Sequence, residues 1–148
     1  MEMCYRHILV AVDGSEPAEW AFRKGIEVAK RHDATLHLVH VVDTSQYRGI
    51  QMYDIHFTEK AIKRAKELLD GYVQEAKDKG IEKVETLVEE GSPKVVITKN
   101  AAKKTGADLI ICGATGMTAV ERMFLGSVSE HITRHAECHV LVVRTEKE

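Results

Sequence analysis

Leu109–Ser129 reads LIICGATGMTAVERMFLGSVS, and its first four residues are apolar without a break. A short apolar run bounded by turn residues is the pattern of a strand buried on both faces, as in a parallel sheet. The run ends at Gly113, and Gly116 follows after two intervening residues. Nine more residues separate Gly116 from Gly126-Ser127, where Val128 and Ser129 open a helical pattern. Strand, glycine loop and helix start thus follow one another. Glycines let the backbone approach a ligand closely, and first-turn amides with the positive end of the helix attract an anion. The stretch predicts a parallel α/β sheet with phosphate held at the carboxyl end of this strand.

The rest of the chain supplies the other strands. Upstream, Gly106 closes a helix and Ala107–Cys112 is the fourth strand. His7–Val12 is the first strand and stops at Asp13-Gly14-Ser15, a turn signal. Pro17 suits the first turn of a helix capped by Ser15 or Glu16, and Ala18, Ala21, Phe22, Ile26 and Ala29 form its buried stripe. Thr35–Val42 is the second strand. Thr58 caps a long helix to about Lys79, with Ile62, Ala65, Leu69, Val73 and Ala76 inward, and Gly80 ends it. Ile81–Val88 alternates only in part and predicts an edge strand. Gly91-Ser92-Pro93 starts a helix that runs to Gly106, the helix after Gly126 runs to about Ala136, and Cys138–Arg144 is the last strand.

Strands and helices therefore alternate through the chain. Helical crossovers between strands make the sheet parallel and the crossovers right-handed. The expected fold is one α/β domain over residues 1–148, doubly wound, with five parallel strands in the order 3-2-1-4-5, helices on both faces and a Rossmann-like architecture. Ligands of such sheets bind at the carboxyl ends of the strands, where the order reverses. That position lies between the first and fourth strands, so Asp13–Ser15 and Gly113–Gly116 open on one crevice.

Composition narrows the class of function. The 148 residues are 44% hydrophobic and 30% charged, which fits a globular domain with a real core. A net charge of -2 without a basic block does not point to nucleic acid. No apolar run reaches the roughly 18 residues of a membrane span, and the start does not read as a signal peptide, so a cytoplasmic location is expected. Cys4, Cys112 and Cys138 form no CxxC pair; Cys112 and Cys138 read as buried reduced thiols.

Candidate chemistry centres on the glycines. The pattern is neither a Walker loop, which needs Gly-Lys-Ser/Thr, nor the GxGxxG of dinucleotide folds. Ser127 and Ser129 offer hydroxyls to phosphate, or Ser127 caps the helix. Asp13 closes the first strand at the mouth of the crevice, where its carboxylate suits a magnesium ion or a nucleoside, or serves the turn itself. His131 and His135 have metal-capable spacing without a third ligand. His37 and His40 lie on opposite faces of one strand. No GxSxG elbow or local Cys/His pair is present, so no dedicated catalytic base is expected, and if ATP binds the most expected is a slow intrinsic hydrolysis. Asp43–Phe57 lacks a clean period and reads as a loop that folds over a ligand or varies at the surface.

The chain resembles the universal stress protein family, in its nucleotide-binding branch, whose fold is akin to that of the adenine nucleotide alpha hydrolases. The resemblance rests on HILVAVDGSEPAEWA, HVVD, GADLIICGATG and FLGSVSEHITRHAECHVLVVR, and above all on the spacing Gly-x2-Gly-x9-Gly-Ser at Gly113, Gly116, Gly126 and Ser127. It implies binding of ATP or AMP. Gly113, Gly116 and Gly126-Ser127-Val128-Ser129 hold the phosphates and ribose in that reading, with Thr115 keeping a hydroxyl nearby. Asp13, preceded by Ala11 and Val12, lies beside the adenosine, the backbone of Val41 reads the adenine edge, and Cys112 touches the nucleoside. Arg122, in the stretch between the glycines, is a candidate phosphate contact. Two departures stand out: Ala114-Thr115 replaces the frequent Ser-His, and His139 replaces a usual proline. The resemblance also implies a homodimer paired through Cys138–Arg144, and a regulatory switch in the stress response that acts on an unidentified protein partner. Two alternatives stay open, a slow ATP hydrolase and a chaperone-like module that uses no nucleotide. Against the first, the SGGxDS and HxGH signatures of the related hydrolases are absent from the sequence.

Overall fold

β1 (His7–Ala11) is the middle of a five-stranded parallel sheet with the order β3-β2-β1-β4-β5. The computed structural model describes residues 4–44, 55–114 and 125–145. In chain order the elements are β1, α1 (Glu16–His32), β2 (Thr35–Asp43), α2 (Ile55–Asp78) and β3 (Val84–Gly91). A helical segment follows, made of α3 (Pro93–Val96), a π turn (Ile97–Ala101) and α4 (Ala102–Thr105). β4 (Leu109–Gly113), α5 (Ser127–His135) and β5 (His139–Val143) complete the set. The strand order and the helices on both faces are those read from the sequence.

Two apolar layers flank the sheet. Ile8, Val10, Leu36, Leu38 and Ile111 point to the face covered by α1 and α2. There Phe22 of α1 meets Tyr72 of α2 edge to face, with centroids 4.8 Å apart. Leu9, Val39, Ile110 and Cys112 point to the other face, where Ile97, Ala101 and Ile132 cover them. The strands in the middle of the sheet are thus buried on both sides, which is why they read as continuous apolar runs. Among the described residues, no helix is long and apolar enough to cross a membrane.

The helix boundaries follow local chemistry. The Ser15 side chain accepts the Ala18 amide at 3.3 Å, so Ser15 rather than Glu16 caps α1. Asp33 ends the same helix in the left-handed region, φ 52°, and its amide reaches the Ala29 and Lys30 carbonyls. Gly106 does the same for α4 at φ 67°. Four expectations shift. α2 begins at Ile55, so Thr58 lies within the helix instead of capping it. The buried face of α2 includes Tyr72, whereas Ile62 and Val73 are only half-buried. The edge strand starts at Val84, because Ile81 is drawn into the core. The helix expected after Pro93 is interrupted by the π turn.

Candidate functional site

The carboxyl ends of β1, β2 and β4 meet the start of α5. Val10 pairs with Ile111, so Ala11 and Cys112 stand side by side one step further along. Val39 pairs with Ala11, and Val41 lies two residues beyond it on the same face. Ala11, Val41 and Cys112 therefore form one apolar wall, packed below by Ile132 of α5. Ala11 and Val41 remain half-exposed, while Cys112 is 5% exposed. Burial pushes the Cys112 thiol up to about 11, so it stays neutral at physiological pH and acts as a small apolar surface.

Val12 turns the other way, into the α1/α2 core. Its amide donates to the Val39 carbonyl at 2.9 Å, and its carbonyl accepts from His40 Nδ1 at 2.8 Å. Both backbone groups are engaged, so Val12 fixes the end of β1. Asp13 follows, exposed, with Oδ1 accepting the Ser15 amide at 2.9 Å. The carboxylate therefore serves the turn through one oxygen, which is the Asx geometry. Gly14 adopts φ 82° at the crest of this turn. Its backbone is hydrogen-bonded to Tyr72, whose hydroxyl is held above its usual pKa by burial first and by Glu19 and Asp13. His40 and Tyr72 are supports that the sequence reading missed. Tyr72 could have been found from the helical spacing of Leu69 and Ala76; nothing in the sequence singles out His40 over the other histidines.

Gly113 has a steric reason to be glycine. A Cβ there would stand 2.9 Å from both the Cβ and the carbonyl oxygen of Pro17. The end of β4 and the first turn of α1 touch backbone to backbone, which brings the two loops of the crevice together. Beyond it, the Ala114 amide donates to the Val143 carbonyl at 2.9 Å, and the Gly126 amide donates to the Ala114 carbonyl at 2.7 Å. The Ser129 hydroxyl donates to that same carbonyl at 2.9 Å and lies 3.0 Å from the Gly126 carbonyl. The two ends of the glycine loop are bolted to each other. Ser129 is 2% exposed and its only proton is engaged here, so it ties the loop ends rather than offering a donor to phosphate.

Gly126 is the N-cap of α5 and makes no side-chain cap bond, so the capping role considered for Ser127 falls instead to a glycine. Ser127 becomes the first helical residue, exposed, with half-buried Val128 next. First-turn amides have no partner four residues back within their own helix, so the start of α5 presents donors at the crevice. Thr115, Gly116 and Arg122 lie outside the described residues, as does most of Asp43–Phe57. Among the described residues no group of three or more His, Cys, Asp or Glu is placed to hold a metal. His131 and His135 stack with ring centroids 4.2 Å apart, beside Lys94 and Lys99, whose charges oppose a cation there.

Known proteins share this fold. The family model described as the universal stress protein family matches residues 4–144. A Staphylococcus haemolyticus protein named as a universal stress protein is 52% identical over 145 residues, covering 98% of this chain and 88% of that one. The solved universal stress protein UspA of Lactobacillus plantarum superposes with a TM-score of 0.86 at 31% identity, covering 97% of this chain and all of that one (100%). The universal stress protein of Archaeoglobus fulgidus, solved in complex with dAMP, gives a TM-score of 0.64 at 26% identity, with 95% and 98% coverage. The strand order, the glycine spacing and these matches agree: the chain belongs to the universal stress protein family.

Proposed function

We propose that this protein binds an adenine nucleotide, ATP or AMP, in the crevice between β1 and β4, and acts as a nucleotide-dependent switch in the stress response of the cytoplasm. The observation that carries the reading is the backbone contact of Gly113 with Pro17 beside the start of α5, where the N-cap Gly126 supplies no side-chain bond. It sets an apolar wall and a row of amide donors at one mouth. Adenosine has an apolar face and a polar rim, and Ala11, Val41 and Cys112 suit the first. The amides of Ser127, Val128 and Ser129, with the Ser127 hydroxyl, suit the phosphates. Gly116 and Thr115 join them by their place in the glycine spacing. The second Asp13 oxygen suits the nucleoside, or a magnesium ion carried in with the phosphates, since magnesium is commonly held by one carboxylate plus phosphate oxygens. The A. fulgidus relative, solved with dAMP, supports the choice of nucleotide class.

Binding rather than turnover is the activity proposed. The Cys112 thiol stays protonated, and Asp13 is committed to its turn through one oxygen. The unit proposed is a homodimer joined through Cys138–Arg144, because β5 is an outer strand of the sheet with half-buried Val140–Val143. Calorimetric titration with ATP and AMP, with and without magnesium, tests the reading. Saturable binding that Gly116→Val abolishes is expected. No heat at millimolar nucleotide would overturn it. Sedimentation equilibrium tests the dimer, and a monomer at high protein concentration rejects it.

A further inference from the structure

The amino ends of the strands, opposite the crevice, carry a second group of titratable side chains. His37, at the start of β2, lies between β1 and β3, directly across from Leu9 and Glu85. Its residue is 6% exposed. His37 Nε2 is 3.0 Å from His7 Nδ1, the two rings 5.2 Å apart between centroids. His37 Nδ1 is 3.4 Å from Glu85 Oε2. Glu85, His37 and His7 thus form a line across three adjacent strands.

Proton counting in this line has one outcome. Only one hydrogen fits between nitrogens 3.0 Å apart, one ring donating and the other accepting. Two neutral imidazoles carry two N–H groups, one between the rings and one facing outward. A first added proton goes to the remaining outward nitrogen. It leaves His7 Nε2–H toward solvent, His37 Nδ1–H toward Glu85, and the central hydrogen bond intact and charge-assisted. A second added proton must occupy the shared gap, which puts two N–H groups head to head. We propose that Glu85, His37 and His7 are a one-proton relay, which takes up a single proton with its bonds intact and is forced apart by a second, so that acid loosens the amino edge of the sheet before the rest.

The surroundings favour this response. Burial holds the His37 imidazole below its usual value of 6.5; Glu85 works against that shift and His7 adds to it. The unfolded chain then binds protons that the folded chain refuses. The contribution of His37 to stability is complete above about 6.5 and is lost as pH falls further. The neighbouring charges among the described residues are either engaged by other groups or turned to solvent. Asp108, before β4, accepts the Arg6 and His7 amides at 2.8 and 3.1 Å with its two oxygens. The helical segment over this face turns Ala101 inward and exposes Lys99, Lys103 and Lys104, the last held by Glu89. Lys83, at the foot of β3, is engaged by Asp33. β3 is an edge strand held by β2 alone in the described sheet, so the amino end of the β2–β3 ladder loses a cross-strand tie when the line breaks.

Histidine NMR titration, together with amide exchange, tests the relay. In the wild type the His37 ring resonances should report two linked protonation steps whose acid constants differ at least tenfold. Protection factors of Ile8, Leu36 and Val84 should fall at least tenfold between about pH 7 and pH 5 relative to those of Val10, Leu38 and Val88. His7→Gln, at a half-exposed position, should collapse the two steps into one and shift His37 back toward its ordinary range. Glu85→Gln, exposed and safe for folding, should weaken uptake of the first proton. Independent steps within a factor of two, or equal protection at both ends of the strands, would overturn the relay. Neither outcome depends on nucleotide binding.

Discussion

Gly113→Ala isolates the contact that closes the crevice. The added methyl would stand 2.9 Å from the Pro17 Cβ and carbonyl oxygen and 3.0 Å from its carbonyl carbon. Ordinary carbon contacts begin near 3.5 Å, so about half an ångström must be recovered. No flexible side-chain end is available to give way. The opposing atoms belong to backbone and to a ring that α1 holds rigid, so the strand end and the helix must move apart. Overpacking of this kind costs about 1–3 kcal/mol. For a chain of 148 residues, a loss of about 2 kcal/mol lowers Tm by roughly 4–8 °C. Gly71→Ala is the control: that glycine is exposed inside α2 with nothing within 4 Å of an added methyl, and alanine there should gain about 0.5–1 kcal/mol. Urea unfolding followed by far-ultraviolet circular dichroism measures both. Opposite signs are expected, with weaker nucleotide affinity for Gly113→Ala alone. A Gly113→Ala midpoint equal to wild type would refute the close-approach argument.

Ser129→Ala removes the buried hydroxyl that ties Ala114 to Gly126 and should cost about 1 kcal/mol in urea unfolding, with the Gly126–Ala114 backbone bond left to hold the loop. Cys112 gives a pH test. Its thiol ionises near 9.0 when unfolded and about 11 when folded, so the folded chain keeps a proton that the unfolded chain releases. Stability should therefore fall between these values, by at most about 1.4 kcal/mol per pH unit, and Cys112→Ala should remove that slope. Alkylation by iodoacetamide under native conditions should label exposed Cys4 and spare Cys112, as read by mass spectrometry. Phe22→Ala, at a fully buried ring against Tyr72, should cost about 3–5 kcal/mol by urea unfolding.

Much of the fold was legible because parallel strands buried on both faces leave an unmistakable apolar signature, as in LIIC and HILVAV. Ser15, Gly106 and Gly126 mark helix ends by local chemistry, and each governs one in the structure, although Ser15 displaced Glu16 and Gly126 displaced Ser127 as cap. Less visible were features created by chain crossings. Gly113 reads as a flexible phosphate glycine, but its tightest constraint is Pro17, far upstream in sequence. Ser129 looks like a phosphate donor until the return of the chain places the Ala114 carbonyl above it. His7, His37 and Glu85 carry no motif, because their association is a matter of strand register. Tyr72 was hidden by a helix face one residue wider than the stripe assigned to it.

The bolt between Ala114 and Gly126 has a consequence for how the chain can vary. Ala114 continues the β4–β5 ladder, and Gly126 is joined to it by its own backbone before α5 begins. The entropy of bringing the two ends together is thus met by the frame, because Ala114 and Gly126 are joined directly whatever length of chain connects them. Lengthening such a segment twofold costs only about 0.6 kcal/mol in loop closure. New segments could be grafted between these two residues, altering what the mouth of the crevice presents while the sheet beneath keeps its register.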